Sequence, residues 1–480
     1  MFSVDPEDIT GDSIPRVLLI LAGPLLLQNL IHVANVIVDT FWLGRLGEDE
    51  VAAVGLNFPV ISIVAAGITL VAIGTQITLA QRVGAEAFSE ARRLAFTGLV
   101  TAIIIGILIA GLFALAAERI MTILASDPTV AGLATLYLWT VMLFYPFAYA
   151  SDTLENAFIG WGDAKAALYI NVVMVGTNIV LDPFLIFGWG PFPALGVQGA
   201  ALASGIGFLV ALSLALTFAF GLRSSFTFDR PSLSYDTGFV REIVDVGAPL
   251  SGQRLASDVV RVFIMGLVAL AGGAAGLAAF TVGERVATLA IVPALALQQA
   301  SQTMIGQNVG ANRPDRAYRT TAVGVLIATA GLAVLGVLQW VFAGAIVDIL
   351  VPELTETGRE LSILFLKILA LSYWALGGTY LLLAGFNGVR RTRTSFVIDL
   401  IKYWTIRFPI AVVAIPTTTT VSVLGIALSP GLGLGVEAIF WAVTISNIIA
   451  VIGAASYFAY TTRRGMFVRA AARSTEALGD

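Results

Sequence analysis

With 480 residues, 58% hydrophobic and 12% charged positions, and a mean hydropathy of +0.91, the chain is too apolar for a soluble globule, whose charged fraction is about 25%. The absence of cysteine and a single histidine, His32, exclude disulfides, thiolate metal sites and two-histidine zinc motifs. No P-loop or nucleophile elbow occurs, so neither an enzyme nor a cofactor is expected, and the net charge of -4 implies no nucleic-acid partner.

Apolar stretches near the ~20 residues that cross a ~30 Å hydrocarbon layer fall at 15–44, 51–79, 94–117, 133–159, 166–188, 197–221, 243–270, 276–303, 320–349, 360–386, 395–415 and 436–460. The first run exceeds a signal-peptide core of ~7–15 residues and reads as a spanning helix. The expected fold class is therefore an all-α polytopic membrane protein of twelve spans, organised as a tail (1–14), a six-helix half (15–221), a linker (222–242), a second six-helix half (243–462) and a second tail (463–480).

An ionisable group within the bilayer costs ~2.5–3.5 kcal/mol on insertion scales and so marks a partner or a function. Span 1 carries Gln28, His32, Asn35 and Asp39 at a spacing that aligns them on one helix face. Span 4 carries Asp152, Glu155 and Asn156 toward one end, where a wetted helix terminus explains them as well as a transport path does. Span 5 repeats the polar spacing with Asn171, Asn178 and Asp182, and Ser204 of span 6 reaches the same depth. Asp39 and Asp182 thus fall at one level, with no basic partner for the acids in the first-half spans, and form a candidate proton or sodium site with Asn178 and Ser204. The alternative is a structural hydrogen-bond pair. Gln28 and Asn171 read equally as helix–helix glue, and His32 as an interhelical hydrogen bond or a proton relay. No metal other than sodium is expected.

The second half carries a different set. Span 7 holds Arg254, Asp258 and Arg261, span 8 Glu284 and Arg285, span 10 Lys367, and span 11 Asp399, Lys402 and Arg407. Such a cluster is either a structural ion-pair network or a cationic wall for anionic groups.

The halves echo one another. A shift of 225 pairs Pro24, Leu25 and Gln28 with Pro249, Leu250 and Gln253; a shift of 226 pairs Gln81, Val83, Gly84 and Ala85 with Gln307, Val309, Gly310 and Ala311. Leu195-Gly196-Val197 recurs as Leu434-Gly435-Val436 after an insertion in the last loop. Six-span units return to their starting side, so the copies are parallel repeats, which commonly hold a substrate site between them. Alternate connections and the tails hold eighteen Lys or Arg against three on the other side, which predicts both termini in the cytoplasm of a plasma-membrane protein.

The stretch AGPLLLQNLIHVANVIVDTFWLGRLGEDEVAAVGL, the segment AQRVGA…EARR and its echo GQNVGA…RPDRAYR resemble the MATE family (multidrug and toxic compound extrusion) over about residues 13–465. The resemblance implies two six-helix bundles around a cleft and export of drugs and organic cations, driven by inward protons or sodium. The pattern is similar to the DinF-like branch, which implicates Pro24 and Asp39, Tyr137 and Asn156, and Asn178 and Asp182, with Ser204 standing where the branch has a hydroxyl. A monomer in the bilayer handling a small-molecule substrate is expected. The basic second half leaves a flippase of lipid-linked saccharide, or of another anionic amphiphile, as the alternative.

Overall fold

The computed structural model describes residues 6–223, 225–419, 421–423, 426–428 and 430–476; the tails assigned above as 1–14 and 463–480 extend past them at both ends. Its helices, in chain order, are α1 (Pro6–Gly11), α2 (Ile14–Leu43), α3 (Glu48–Gly84), α4 (Phe88–Leu124), α5 (Pro128–Trp161), α6 (Ala164–Phe187), α7 (Val197–Thr217), α8 (Thr237–Gly310), α9 (Pro314–Leu350), α10 (Glu356–Ala370), α11 (Tyr373–Gly388), α12 (Thr392–Leu400), α13 (Phe408–Ala414), α14 (Val436–Arg463) and α15 (Met466–Glu476). Local chemistry sets several of the starts. Asp127, Asp163, Asp236 and Thr355 accept hydrogen bonds from the first free amides of α5, α6, α8 and α10, each cap being worth ~1 kcal/mol. Gly162 ends α5 at φ 105°, a conformation that favours glycine.

Twelve crossings emerge once three elements are read physically. The 74-residue α8 is broken at Gly273 (φ 58°). A Cβ on Gly74 near one end of α3 would meet Ile243, and a Cβ on Gly84 would meet Gln307. Both ends of α8 therefore lie beside the same end of α3, so the chain turns back at Gly273 and crosses twice. The tenth span is bent by 47° between α10 and α11. No proline causes that bend; Ser372 sits at the break, its Oγ donating to the Leu369 carbonyl and accepting from Asn447. The eleventh joins α12 to α13 through a π-helical turn, Ile401–Arg407. The predicted insertion contains a short antiparallel hairpin, β1 (Val421–Val423) and β2 (Ile426–Leu428).

Predicted span ends shift where helices outrun the bilayer. α3 and α4 contain 37 residues each, about 55 Å of helix and more than a ~30 Å layer requires, so residues 80–84 and 88–93, between the expected spans, are helical as well. The face holding these ends, α1 and α15 is called the basic face below.

Each half has its own core. Leu94, Tyr149, Leu154 and Phe158 are fully buried among α3–α5 of the first. Phe280, Phe365 and Phe440 stack in the second, with ring centroids 5.5 and 4.3 Å apart. The halves meet at the basic face through a reciprocal crossing. A Cβ on Gly84 would lie 1.9 Å from the Gln307 carbonyl oxygen, and one on Gly310 1.9 Å from that of Gln81. Gln81 Nε2 donates to the Gly388 carbonyl and Gln307 Nε2 to that of Gly160, both at 3.0 Å. These are the residues paired by the 226-residue shift, so sequence repeat and spatial two-fold coincide.

Candidate functional site

Close helix contacts bring the polar residues of α2, α6 and α7 together. A Cβ on Gly199 would lie 2.3 Å from the Leu185 carbonyl oxygen, and one on Gly207 3.0 Å from that of Met174. Glycine at these positions lets α7 press against α6 and places Ser204 beside Asn178. Asn178 bridges the site through its amide. In the orientation that satisfies more partners, Nδ2 donates to Asp39 Oδ1 at 3.0 Å and to Asn35 Oδ1 at 2.8 Å. Its Oδ1 then accepts from the Ser204 hydroxyl and backbone amide at 3.1 and 3.2 Å. The opposite orientation leaves only donations to Asp182 at 3.4 Å and Ser204 Oγ at 3.1 Å; the first arrangement pairs both ends of the amide.

Asn35 Nδ2 donates to Asp39 Oδ2 at 3.2 Å. Asp39 and Asp182 both lie against the Asn178 amide, so their side chains neighbour one another. Asp182 is 1% exposed and its Oδ2 has no hydrogen-bond partner, whereas Asp39 is partly exposed. Tyr137 packs nearby and lies within electrostatic reach of both carboxyls. Beyond the pair, away from the basic face, Trp42 packs edge-on against Phe41, Phe187 and Trp189 at 5.1–5.9 Å. This aromatic cap was not foreseen. Asp39 and Asp182 supply four carboxyl oxygens, and Asn178 and Ser204 two more; such hard oxygen donors suit a proton or an alkali cation.

Other first-half candidates lie apart. Gln28 Nε2 donates to Glu155 Oε1 at 2.5 Å, tying α2 to α5. Glu155 and Asn156 are 7% and 8% exposed, which corrects the wetted-terminus reading: neighbouring helices enclose this part of α5, and the long Gln28 side chain reaches it from α2. Asn156 donates to the Asp152 carbonyl within its own helix, its Oδ1 unpaired, and so does not join the Asp39–Asp182 site. Asn171 is buried with its Oδ1 unpaired, also outside that site. Pro24 lies inside α2, where its ring removes a donor to the Ile20 carbonyl. His32 is exposed to the cleft and faces Arg254 of the second half.

The second-half charges divide. Arg254 donates to Thr69 Oγ1 at 3.3 Å and sits 4.0 Å from Asp258, which accepts from Ser62; these contacts join α8 to α3. Arg261 pairs with Glu284 at 3.4 Å across the two limbs of α8. Gln253, the repeat counterpart of Gln28, donates to Asp399. Arg407 is 9% exposed and donates to Ser446 at 2.9 Å and Asn447 at 2.8 Å, with its guanidinium over Tyr403. Buried amide and hydroxyl acceptors, rather than an acid, thus hold Arg407 in place, and Lys367 stands over Trp340.

Twelve crossings in paired halves, with a carboxyl pair in one and a charged cleft wall in the other, define a multi-pass membrane transporter. The MatE family model matches residues 24–184 and 249–413, one match in each half, and the chain belongs to that family of multidrug and toxic compound extrusion transporters. A Shewanella oneidensis protein named FAD transporter is 25% identical over 412 residues, 85% of this chain and 89% of that one. A probable multidrug resistance protein NorM of Mesorhizobium japonicum is 28% identical over 436 residues, 85% and 88% of the two chains. Solved structures share the fold. A crystal structure of MATE in complex with MaL6 superposes with a TM-score of 0.87 at 22% identity, covering 98% of this chain and 100% of that one. A Pyrococcus furiosus transporter of the MOP superfamily, described as having reverse polarity of the binding pocket, gives 0.86 at 21% identity over 96% and 98%.

Proposed function

We propose that this chain exports small amphipathic organic compounds in exchange for inward protons or sodium ions, with Asp39 and Asp182 as the coupling pair and Asn178 and Ser204 completing the site. The convergence of the two carboxyls on one Asn178-bridged site, with no basic residue bonded to either, carries this reading. Two carboxyls set close together attract a proton or another cation. The unpaired Asp182 Oδ2 offers a further acceptor for either ion. Tyr137, Asn35 and His32 border the same cleft wall as substrate-side residues, and Pro24 gives α2 a place to bend when the occupant of Asp39 changes. The excess of arginine and lysine on one face supports an orientation with both tails in the cytoplasm of the plasma membrane, where the chain would act as a monomer. Bundles 15–221 and 243–462 then rock about the crossing of Gly84 and Gly310, and the ion biases one state by its differential affinity.

A second reading has specific support. Arg254 and Arg261 keep side chains 48% and 60% exposed, and a relative bears the name FAD transporter, an anionic dinucleotide carrier. An anionic amphiphile, including a lipid-linked saccharide, would meet these two residues first; Arg407 is already held by polar groups of its own half. Reconstituted protein tested with a cationic dye and an anionic flavin nucleotide, under a pH gradient and separately a sodium gradient, decides between them. Gradient-dependent movement of the dye alone supports the leading reading. Gradient-independent movement of the anion alone replaces it.

A further inference from the structure

On the basic face a cavity of 470 Å³ opens between the halves. Arg82 of the first half lines it together with Asp245, Arg390, Arg391, Arg393 and Arg473 of the second. Two of these cations are already neutralised, since Arg82 pairs with Glu90 at 3.3 Å and with Glu242 at 2.9 Å, and Arg390 pairs with Glu242 at 3.0 Å. Among the described residues Arg391 and Arg393 have no acid within ion-pair distance. Among the described residues Arg473 donates only to the Arg469 carbonyl. Asp245 in the cavity and Glu476 beside it leave four arginines, with Arg469, against two acids. Burial pushes the Arg390 guanidinium below its ordinary value; Glu242 pulls it up and the neighbouring Arg82 pushes it down again. The first turn of α12, whose N-cap Arg391 supplies no side-chain cap, opens into the same cavity and adds backbone donors.

The cavity does not end in polar ground. At Arg393 and Thr394 it adjoins a groove of 550 Å³ between α12 with its π turn and α14, lined by Val397, Ile401, Ile449 and Gly453 among other apolar residues. An arginine-rich pocket at the membrane surface that runs into an apolar groove matches a molecule with an anionic head and an acyl tail. Basic pockets between helices on the cytoplasmic side are suited to such headgroups, and guanidinium forks to phosphate. We propose that this is a binding site for an anionic phospholipid, its phosphate among Arg391, Arg393 and Arg473 and one acyl chain along the groove toward Lys402. Because the cavity spans both halves, the occupant would tie them together at the basic face.

Thermal unfolding of the purified, delipidated full-length protein in detergent tests this, with native mass spectrometry counting bound lipid. Phosphatidylglycerol should raise the melting temperature and leave one lipid bound, whereas phosphatidylcholine and soluble glycerol phosphate should do neither. The double variant R391Q/R393Q should lose the shift. Gly453→Leu should also lose it while folding normally, since a Cβ there meets nothing within 4 Å. Equal stabilisation by phosphatidylcholine would reduce the groove to ordinary lipid solvation, and equal stabilisation by glycerol phosphate would leave a soluble-anion site with no lipid. A full phosphatidylglycerol shift in both variants would place the lipid elsewhere.

Discussion

Glu155 and Gln28 illustrate how one partly buried hydrogen bond links two helices. Replacing Glu155 by Gln keeps an acceptor for the Gln28 amide and should leave the melting temperature nearly unchanged. Glu155→Leu strands that amide in a buried position, at a cost of ~1–3 kcal/mol, and should lower the melting temperature measurably. Equal melting of the two variants would show that the contact holds nothing together. Arg261 can be treated similarly. Its partner Glu284 is 28% exposed and its own side chain 60%, so solvent screening holds the pair to ~1 kcal/mol or less. Arg261→Ala should therefore leave stability nearly intact and shift transport from anionic toward cationic compounds. A large melting loss with unaltered preference would make the pair purely structural. Asp39 and Asp182 were legible from sequence because helix period and depth place both carboxyls at one level without a basic partner. Glu155 was not, because its burial depends on how other helices pack around α5, which α5 alone does not show. Arg407 was opaque for a similar reason: its acceptors, Ser446 and Asn447, lie on a helix about forty positions later.

At the scale of elements, the glycines of the inter-half crossing carry most of the geometry. A Cβ at Gly84 or Gly310 would sit 1.9 Å from a backbone carbonyl oxygen that no rotamer change can move. Gly84→Ala should thus push α3 and α8 apart at a cost of ~1–3 kcal/mol, read as a lower melting temperature and easier labelling of the basic-face cleft. Unchanged melting and labelling would mean that the crossing is looser than it looks. The repeat was visible in sequence because Gln81, Gly84, Gln307 and Gly310 must each make the same contact, so both copies kept the same residues. The broken tenth span was not. Leu371 and Ser372 contain no proline or glycine, and the bend depends on Asn447 of another helix.

For the whole molecule, composition and charge asymmetry already give a twelve-span chain, and the absence of cysteine makes its orientation easy to test. Ser89→Cys and Thr355→Cys occupy exposed positions on opposite faces. In intact cells an impermeant thiol reagent should label the second and spare the first; the reverse would invert the orientation and the proposed direction of transport. The central claim is that the Asp39–Asp182 pair couples an ion gradient to export. Its most direct test is substrate movement in proteoliposomes under an imposed pH gradient and, separately, a sodium gradient, comparing wild type with Asp39→Asn. The variant changes one carboxyl to an amide of nearly equal volume, so folding should be retained. Wild type should move substrate against its concentration gradient under at least one ion, and Asp39→Asn should lose at least ten-fold of that gradient-driven rate. Asp39→Asn running within two-fold of wild type under both gradients would contradict the account.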